Sequence, residues 1–306
     1  MLFTRSIKHF CQDPTYKIVK IALRFVKPER IPDKYFLKYE FHYVFGEKLN
    51  LRIPKTFSEK MQWIKLNDRN PLYTTLVDKI EAKTWIESRI GGNYTIPTLA
   101  TYSNENDIDF NSLPDKFVLK CNHDSGSVVI CNGKNKFDQE SAKAVLGKGL
   151  RHNFYLKHRE WPYKNVNRRI LAEIYLGENL RDYRIYCFNG TPRLIYSYTN
   201  ESRVDGQKPE PAFCDIFDTS WKPMPYRQNS KAKGNVSRPD NLDLMLSIAK
   251  ELCRDLPFVR VDLYEVSDKV YVGEITLIPG GGMSQFVPKE WDCILGSWLK
   301  LPNRSR

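Results

Sequence analysis

The chain has 306 residues, with 48 Lys and Arg against 36 Asp and Glu for a formal charge of +12. Its hydrophobic fraction of 41%, rich in aromatic side chains, supplies a core for two or three lobes and excludes a disordered polyelectrolyte. Seven cysteines, odd in number and without a CxxC pair, argue against a disulfide framework or a zinc site and point to a reducing, cytoplasmic setting.

The charge is unevenly spread: residues 1–66 hold 14 Lys and Arg against 6 Asp and Glu, which calls for an anionic partner. Within that region PTYKIVKIALRFVKP sets Ile18, Val19, Ile21, Leu23, Phe25 and Val26 among Lys17, Lys20, Arg24 and Lys27. The cations interrupt any run of signal-peptide or membrane-span length. As a helix the segment suits either the surface of an anionic membrane or a core on which it docks with its lysines in water. No helix-turn-helix, finger or RNA-binding signature accompanies the charge, so nucleic acid is not an expected partner.

Thr56 and Glu59 stand at capping-box spacing ahead of Met61, Trp63, Ile64 and Leu66, which predicts a helix over 56–66. A second helix is predicted over 72–90, stopped by Gly91-Gly92. YTIPTLATY reads as a strand and NENDIDFNSLPD as a loop. From FVLKCN onward the chain changes character: SVVICNGK, RILAEIYL, DYRIYCF, PRLIYSYT, FVRVDLY and KVYVGEITLI predict strands, with a helix over 138–155 among them. Asn189-Gly190 between two such runs signals a hairpin. Residues 221–239 carry five Lys or Arg and no acid, and read as a mobile loop. A helix over LDLMLSIAKELCRDL leads into the last hairpin. The fold class is therefore mixed α/β (α+β), not a purely parallel sheet.

In FVRVDLY, alternation turns Val259, Val261 and Leu263 one way and Arg260 and Asp262 the other; in VYVGEITLI, Val272, Glu274 and Thr276 share a face. With EVSDK as the turn and an even pairing sum, Arg260, Asp262 and Glu274 fall on one side of one ladder. Two carboxylates beside an arginine suit a hard cation and phosphate oxygens; the plainer reading is a solvated polar face with an ordinary salt bridge. Pro279-Gly280-Gly281-Gly282 follows at once and permits either close approach of a ligand or a flexible turn. In FVLKCNHDSGSVVI, Lys120 ends a strand, and by itself it reads as a lysine reaching solvent. The next residues, Asp124-Ser125-Gly126-Ser127, offer hydroxyl and amide groups to phosphate, whereas His123 reads as a local hydrogen-bonding residue. No GxxxxGK[ST] sequence occurs, which excludes a P-loop enzyme.

Five stretches, KTFSEKMQWIKLNDRNPLYTTLVDK, LPDKFVLKCNHDSGS, RRILAEIYL, DYRIYCFNGTPRLI and VRVDLYEVSDKVYVGEITLIPGGG, together resemble the ATP-grasp superfamily. Within it they are similar to the TupA-like branch associated with bacterial surface, including capsular, polysaccharide synthesis. The resemblance runs from about Pro54 to Pro288. It implies an ATP-grasp fold with nucleotide held between two β-rich lobes, behind a helical N-terminal extension. Residues 1–55 would be that extension, 56–115 a pre-grasp region, 116–172 the small lid subdomain and 173–306 the large subdomain with the metal site.

The resemblance also implies ATP and Mg2+ as cofactors. Lys79 and Lys120 would reach the ATP phosphates, and Asp124, Ser125, Gly126 and Ser127 would cover them. Glu173, Ile174, Tyr175 and Leu176 would form the hinge that reads adenine, and Asp182 would bind ribose. Asp262 and Glu274 would bridge the metal, while Arg260 stabilises the phosphoryl group in transfer. Arg184 would help by facing phosphate or substrate; its plainer reading is a cross-strand ion pair. The third metal ligand of many such ligases is an asparagine two residues beyond the glutamate. Here Thr276 takes its place, and a hydroxyl is the weaker ligand.

The superfamily's reaction phosphorylates a carboxylate with ATP and lets an amine displace the phosphate, so it needs no protein nucleophile. That agrees with a sequence in which no Ser/His/Asp or Cys/His arrangement is apparent. With two basic regions able to attract a polyanion, the resemblance implies a ligase joining an amine, such as an amino acid, to a carboxylate of an acidic surface glycan, such as a uronic acid. Its setting would be the cytoplasm, with peripheral contact at the inner face of an anionic membrane. Two alternatives stay open. Asp107-Ile108-Asp109 is a DxD pattern able to hold the metal of a sugar nucleotide, as in a glycosyltransferase of capsule or lipopolysaccharide synthesis. Thr276 leaves room for a non-catalytic, ATP-grasp-like polyanion-binding protein.

Overall fold

A computed structural model describes Ile21 and residues 25–178, 180–199, 213–228 and 230–303. The helix expected over PTYKIVKIALRFVKP lies largely outside the described residues. The elements run in the order α1 (Asp33–Phe45), α2 (Phe57–Asn67), α3 (Leu72–Val77), α4 (Glu81–Ile90), β1 (Thr98–Tyr102), β2 (Lys116–Cys121) and β3 (Val128–Asn132). Then come α5 (Gln139–Arg151), α6 (Tyr155–His158), β4 (Ile170–Ile174), β5 (Asp182–Phe188), β6 (Thr191–Thr199), β7 (Phe213–Asp218) and β8 (Arg227–Gln228). The chain closes with α7 (Leu242–Cys253), β9 (Phe258–Val266), β10 (Lys269–Thr276), β11 (Phe286–Val287) and α8 (Glu290–Trp298). Named strands pair antiparallel in a four-stranded sheet, β1-β4-β2-β3, a five-stranded sheet, β10-β9-β5-β6-β7, and a ribbon of β11 and β8. The fold is mixed α/β, as the interleaved patterns predict.

Period-two alternation builds both main cores. On the five-stranded sheet Ile185, Cys187, Val259, Val261 and Leu263 are fully buried, and α7 packs on these strands with Leu242, Met245, Ile248, Ala249 and Leu252 at helical spacing. The other face of the same strands carries charged and tyrosine side chains toward the Asp182 end of β5 and buried Phe188 and Phe258, packed on Phe57, toward the other. The four-stranded sheet packs Phe117, Leu119, Ile170 and Ala172 on Ala142 and Leu146 of α5. Each large apolar side chain buried in this way contributes ~1.5–3 kcal/mol, so each sheet has its own source of stability.

At the start of α2 the capping box forms as predicted: Thr56 Oγ1 accepts from Glu59 N at 3.1 Å, and Glu59 Oε2 accepts from Thr56 N at 3.1 Å. The helix predicted over 72–90 is two helices, because Asp78 breaks it. Its Oδ1 accepts from Ile80 N at 2.9 Å and so caps α4 in place of a continuing helix. The helix predicted over 138–155 likewise ends at Arg151, and the short α6 follows it.

Two loops differ from expectation. The segment 221–239, read as mobile, is laid against β7: Met224 N donates to Ile216 O at 2.8 Å, Cys214 N to Lys231 O at 2.9 Å, and Asp215 accepts from Lys233 N and Gly234 N. Gly281 and Gly282, both in the left-handed region, are neither a flexible turn nor an open ligand approach. A Cβ on Gly281 would lie 2.5 Å from His158 Cγ and one on Gly282 2.5 Å from Met61 Cβ, while Gln62 Nε2 donates to Gly282 O at 2.9 Å.

Candidate active site

The last hairpin turns on Ser267-Asp268, both with positive φ, and its first pairs set Val272 opposite Leu263 on the core face. A bulge at Gly273 then adds one residue to β10, so that Glu274 stands opposite Asp262 and Thr276 opposite Arg260. The even pairing expected for the whole hairpin therefore holds only beyond the bulge, and Val272 and Glu274 face opposite ways. On the far side of β9, β5 sets Arg184 opposite Asp262 and Asp182 opposite Tyr264. One face of three strands thus carries Asp182, Arg184, Arg260, Asp262, Glu274 and Thr276.

The ionic contacts on this face are short. Arg260 donates to both oxygens of Asp262, Nε to Oδ1 at 2.6 Å and Nη2 to Oδ2 at 2.5 Å. Arg184 binds Asp182 of its own strand at 2.6 Å and stacks 3.9 Å above the Tyr198 ring; the cross-strand partner of its plainer reading is Asp262, at the longer distance of 3.7 Å. Burial, opposed by Arg260 and joined by the charge of Asp182, pushes the Asp262 carboxyl up to about 7. Glu274 goes the other way. Burial raises it, but Lys79, Arg260, Lys120 and Arg184 together hold it below the ordinary glutamate value.

Lys79 sits in the break between α3 and α4 that Asp78 creates. Its Nζ donates to Asp124 O at 2.6 Å and lies 3.5 Å from Glu274 Oε1, so it ties the Asp124–Ser127 loop to the carboxylate face. Within that loop Ser127 Oγ donates to Asp124, while Ser125 and Gly126 are exposed. Lys120 does not reach out into solvent as its plainer reading had it: its side chain is 12% exposed and its Nζ lies 2.5 Å from Glu173 Oε2. The acid expected at the hinge, Glu173, is thus already engaged. Ile174 ends β4, with its N donating to Pro97 O at 3.2 Å, and Tyr175 and Leu176 follow beyond the strand.

Sequence reasoning missed two residues here. Lys83, one helical turn after Lys79 in DKIEAK, lies 2.5 Å from the other oxygen of Glu173; that spacing was the available signal. Asn122, fully buried, accepts from Lys79 N through its carbonyl at 3.1 Å and from Arg169 N through Oδ1 at 2.7 Å, fixing the Lys79 turn against the β2 and β4 ends. His123 behaves as read, its Nε2 lying 3.2 Å from His152 O. Asp107 and Asp109 are exposed in the turns before β2, where Asp109 Oδ1 accepts from Asn111 N at 3.0 Å. Among the described residues no group of three or more His, Cys, Asp or Glu is assembled to hold a metal.

A model of the family described as TupA-like ATPgrasp matches residues 59–300. The chain belongs to the TupA-like ATP-grasp family. No curated protein matches the chain significantly. Among solved structures this family member is similar to D-alanine–D-alanine ligase from Helicobacter pylori (15% identity over 79% of this chain and 69% of that one, TM-score 0.44). It is also similar to D-alanine–D-alanine ligase from Bacillus anthracis complexed with ATP (15% identity, 72% and 56% covered, TM-score 0.39). A third is N5-carboxyaminoimidazole synthetase from Staphylococcus aureus complexed with ADP (14% identity, 75% and 53% covered, TM-score 0.41). The TupA-like chain spans a little over half the length of the last two.

Proposed function

We propose that this chain is an ATP-dependent carboxylate–amine ligase that acts through an acyl phosphate on an acidic surface glycan, such as one bearing a uronic acid. The observation that carries the reading is the placement of Lys79, 3.5 Å from Glu274, beside Arg260 and Arg184, which hold Asp262 and Asp182 on the same sheet face, with Lys120, bound to Glu173, near enough to lower Glu274 along with them. Cations from four separate parts of the chain beside one carboxylate face suit a triphosphate, whose charge they neutralise. Family membership supports ATP as the nucleotide.

In this reading the four-stranded sheet is the lid and the five-stranded sheet the body, so the lid also draws β1 from before residue 116. Lys79 and Lys120 hold phosphate oxygens, the Asp124–Ser127 loop covers them, Glu173 to Leu176 border adenine and Asp182 faces ribose. A substrate carboxylate oxygen attacks the γ-phosphorus and ADP leaves; the amine then attacks the acyl carbon, and phosphate and a proton depart. Arg260 and Arg184 stabilise the charge that develops in the first step.

Asp262, Glu274 and Thr276 fit a divalent cation once Arg260, which holds both Asp262 oxygens, gives one up: they are hard oxygen donors on one face, and the Thr276 hydroxyl is buried without a hydrogen bond. When bound, magnesium would neutralise charge between the β- and γ-phosphates.

The acidic acceptor is supported by exposed cations on the segment beside β7, namely Lys222, Arg227, Lys231 and Lys233. On α1, Lys34, Tyr35 and Tyr43 are each exposed, and a cation and aromatic rings in water are side chains that suit peripheral contact with an anionic membrane face. No helix among the described residues is long and apolar enough to cross a membrane. Incubation with ATP, magnesium, amino acids and uronic-acid oligosaccharides is expected to release ADP and add an amide mass to the glycan. ADP without an adduct contradicts the acceptor; no ADP at all, with Glu274→Gln indistinguishable from wild type, leaves the non-catalytic reading.

A further inference from the structure

Glu173 is nearly inaccessible, and two lysines from different elements share its carboxylate. Lys120 on β2 takes Oε2 and Lys83 on α4 takes Oε1, each at 2.5 Å. The two are not equivalent. Lys83 Nζ also donates to Ile96 O and to Thr98 Oγ1, the latter at 2.9 Å. Three acceptors thus surround an ammonium with three protons: its hydrogen bonds go to Ile96 O and Thr98 Oγ1, and Glu173 Oε1, which accepts no well-aligned hydrogen bond, is held as an ion pair. Lys83 is therefore committed to the protein rather than to a nucleotide. Lys120 has Glu173 as its acceptor among the described residues, which leaves donors for phosphate oxygens.

Strand pairing fixes this arrangement. Glu173 stands opposite Val118 on β2 and opposite Thr98 on β1, so Lys120, two residues beyond Val118, meets the carboxylate diagonally on the same face. Lys83, in the first turn of α4, closes the other side. Glu87, one turn further along α4, is occupied with Thr95 Oγ1 at 2.6 Å.

We propose that Lys83 is a positioning residue: it anchors the Glu173 carboxylate so that Lys120 can turn toward a triphosphate without leaving a buried anion alone. A carboxylate deprived of its partner in such a place carries an uncompensated charge, and it would hold Lys120 back. This rests on the nucleotide reading of the site given above.

The test uses the full chain and two readouts. The first is titration of the Glu173 side-chain carboxyl by carbon-13 NMR without nucleotide, assigned with Glu173→Gln. The second is ATP affinity by calorimetry across pH. Lys83→Met is expected to raise the Glu173 titration by about one unit, and to weaken ATP about tenfold or more, with the loss shrinking as pH falls and Glu173 takes up a proton. Lys83→Arg restores both. Thr98→Val, which removes one acceptor and no charge, guards against misfolding of the methionine variant: it is expected to leave the Glu173 titration in place. Wild-type affinity in Lys83→Met with an unmoved Glu173 titration overturns the role of Lys83 alone. Weakened binding with an unmoved titration also overturns it, by making Lys83 a direct phosphate ligand. No ATP binding by the wild type overturns the nucleotide reading and this role with it.

Discussion

Glu274 stands directly opposite Asp262 on the neighbouring strand, and it does so only because β10 bulges at Gly273. Without the extra residue Glu274 would turn into the core face that Val261 and Leu263 occupy. Glycine is needed at the bulge: a Cβ there would lie 2.4 Å from Tyr264 Cε2. Gly273→Ala is therefore expected to displace the Tyr264 ring or the bulge, at a cost of about 1–3 kcal/mol in stability. ADP release in the presence of ATP and magnesium should fall by roughly 10²-fold, since the carboxylates lose their common face. Thermal melting and a steady-state ADP assay check the two effects together.

Thr276 offers a gain-of-function test. Its hydroxyl is buried and unbonded, and an asparagine of nearly equal volume would present an amide oxygen from the same place. Thr276→Asn should lower the magnesium concentration for half-maximal ADP release by roughly tenfold, with little change in melting temperature. A magnesium titration at fixed ATP measures it.

Much of this face was legible in the sequence, and the reason is specific. Alternation in FVRVDLY separates Val259, Val261 and Leu263 from Arg260 and Asp262, and the core on α7 enforces the same separation. Lys79 was legible as a residue but not as a position: its break between α3 and α4 depends on the Asp78 side chain outcompeting a helical hydrogen bond. The bulge at Gly273 was hidden for a similar reason, because an added residue changes no composition and only pairing reveals it. Segment 221–239 misled because exposed cations and glycine resemble a free loop, whereas its backbone hydrogen bonds go to β7.

A buried ionic cluster lies under the α1–α2 side of the molecule, where Glu160 is within the influence of Lys65, His158 and Glu40. Burial pushes the Glu160 carboxyl up to about 7 despite the pull of Lys65. A carboxyl raised on folding contributes stability that is fully present below its unfolded value and is lost as pH rises through about 7. The wild type should lose on the order of 2–3 kcal/mol between pH 4.5 and 7.5 through this group. Glu160→Gln should flatten that part of the profile, which urea denaturation at a series of pH values measures.

The Thr56 cap is a local stability test in which no ionic group of the carboxylate face takes part. Thr56→Ala removes the acceptor for Glu59 N and is expected to cost about 1 kcal/mol without altering ATP affinity. Chemical denaturation beside a calorimetric ATP titration separates the two.

If Lys79, Lys120, Asp262 and Glu274 surround one triphosphate, calorimetric titration with magnesium-ATP will find a single site per chain, with affinity lost by roughly 10²-fold in Lys79→Met and in Lys120→Met. Glu274→Gln should still bind ATP but form no ADP. Wild-type affinity in both lysine variants would mean that the triphosphate does not lie between these residues.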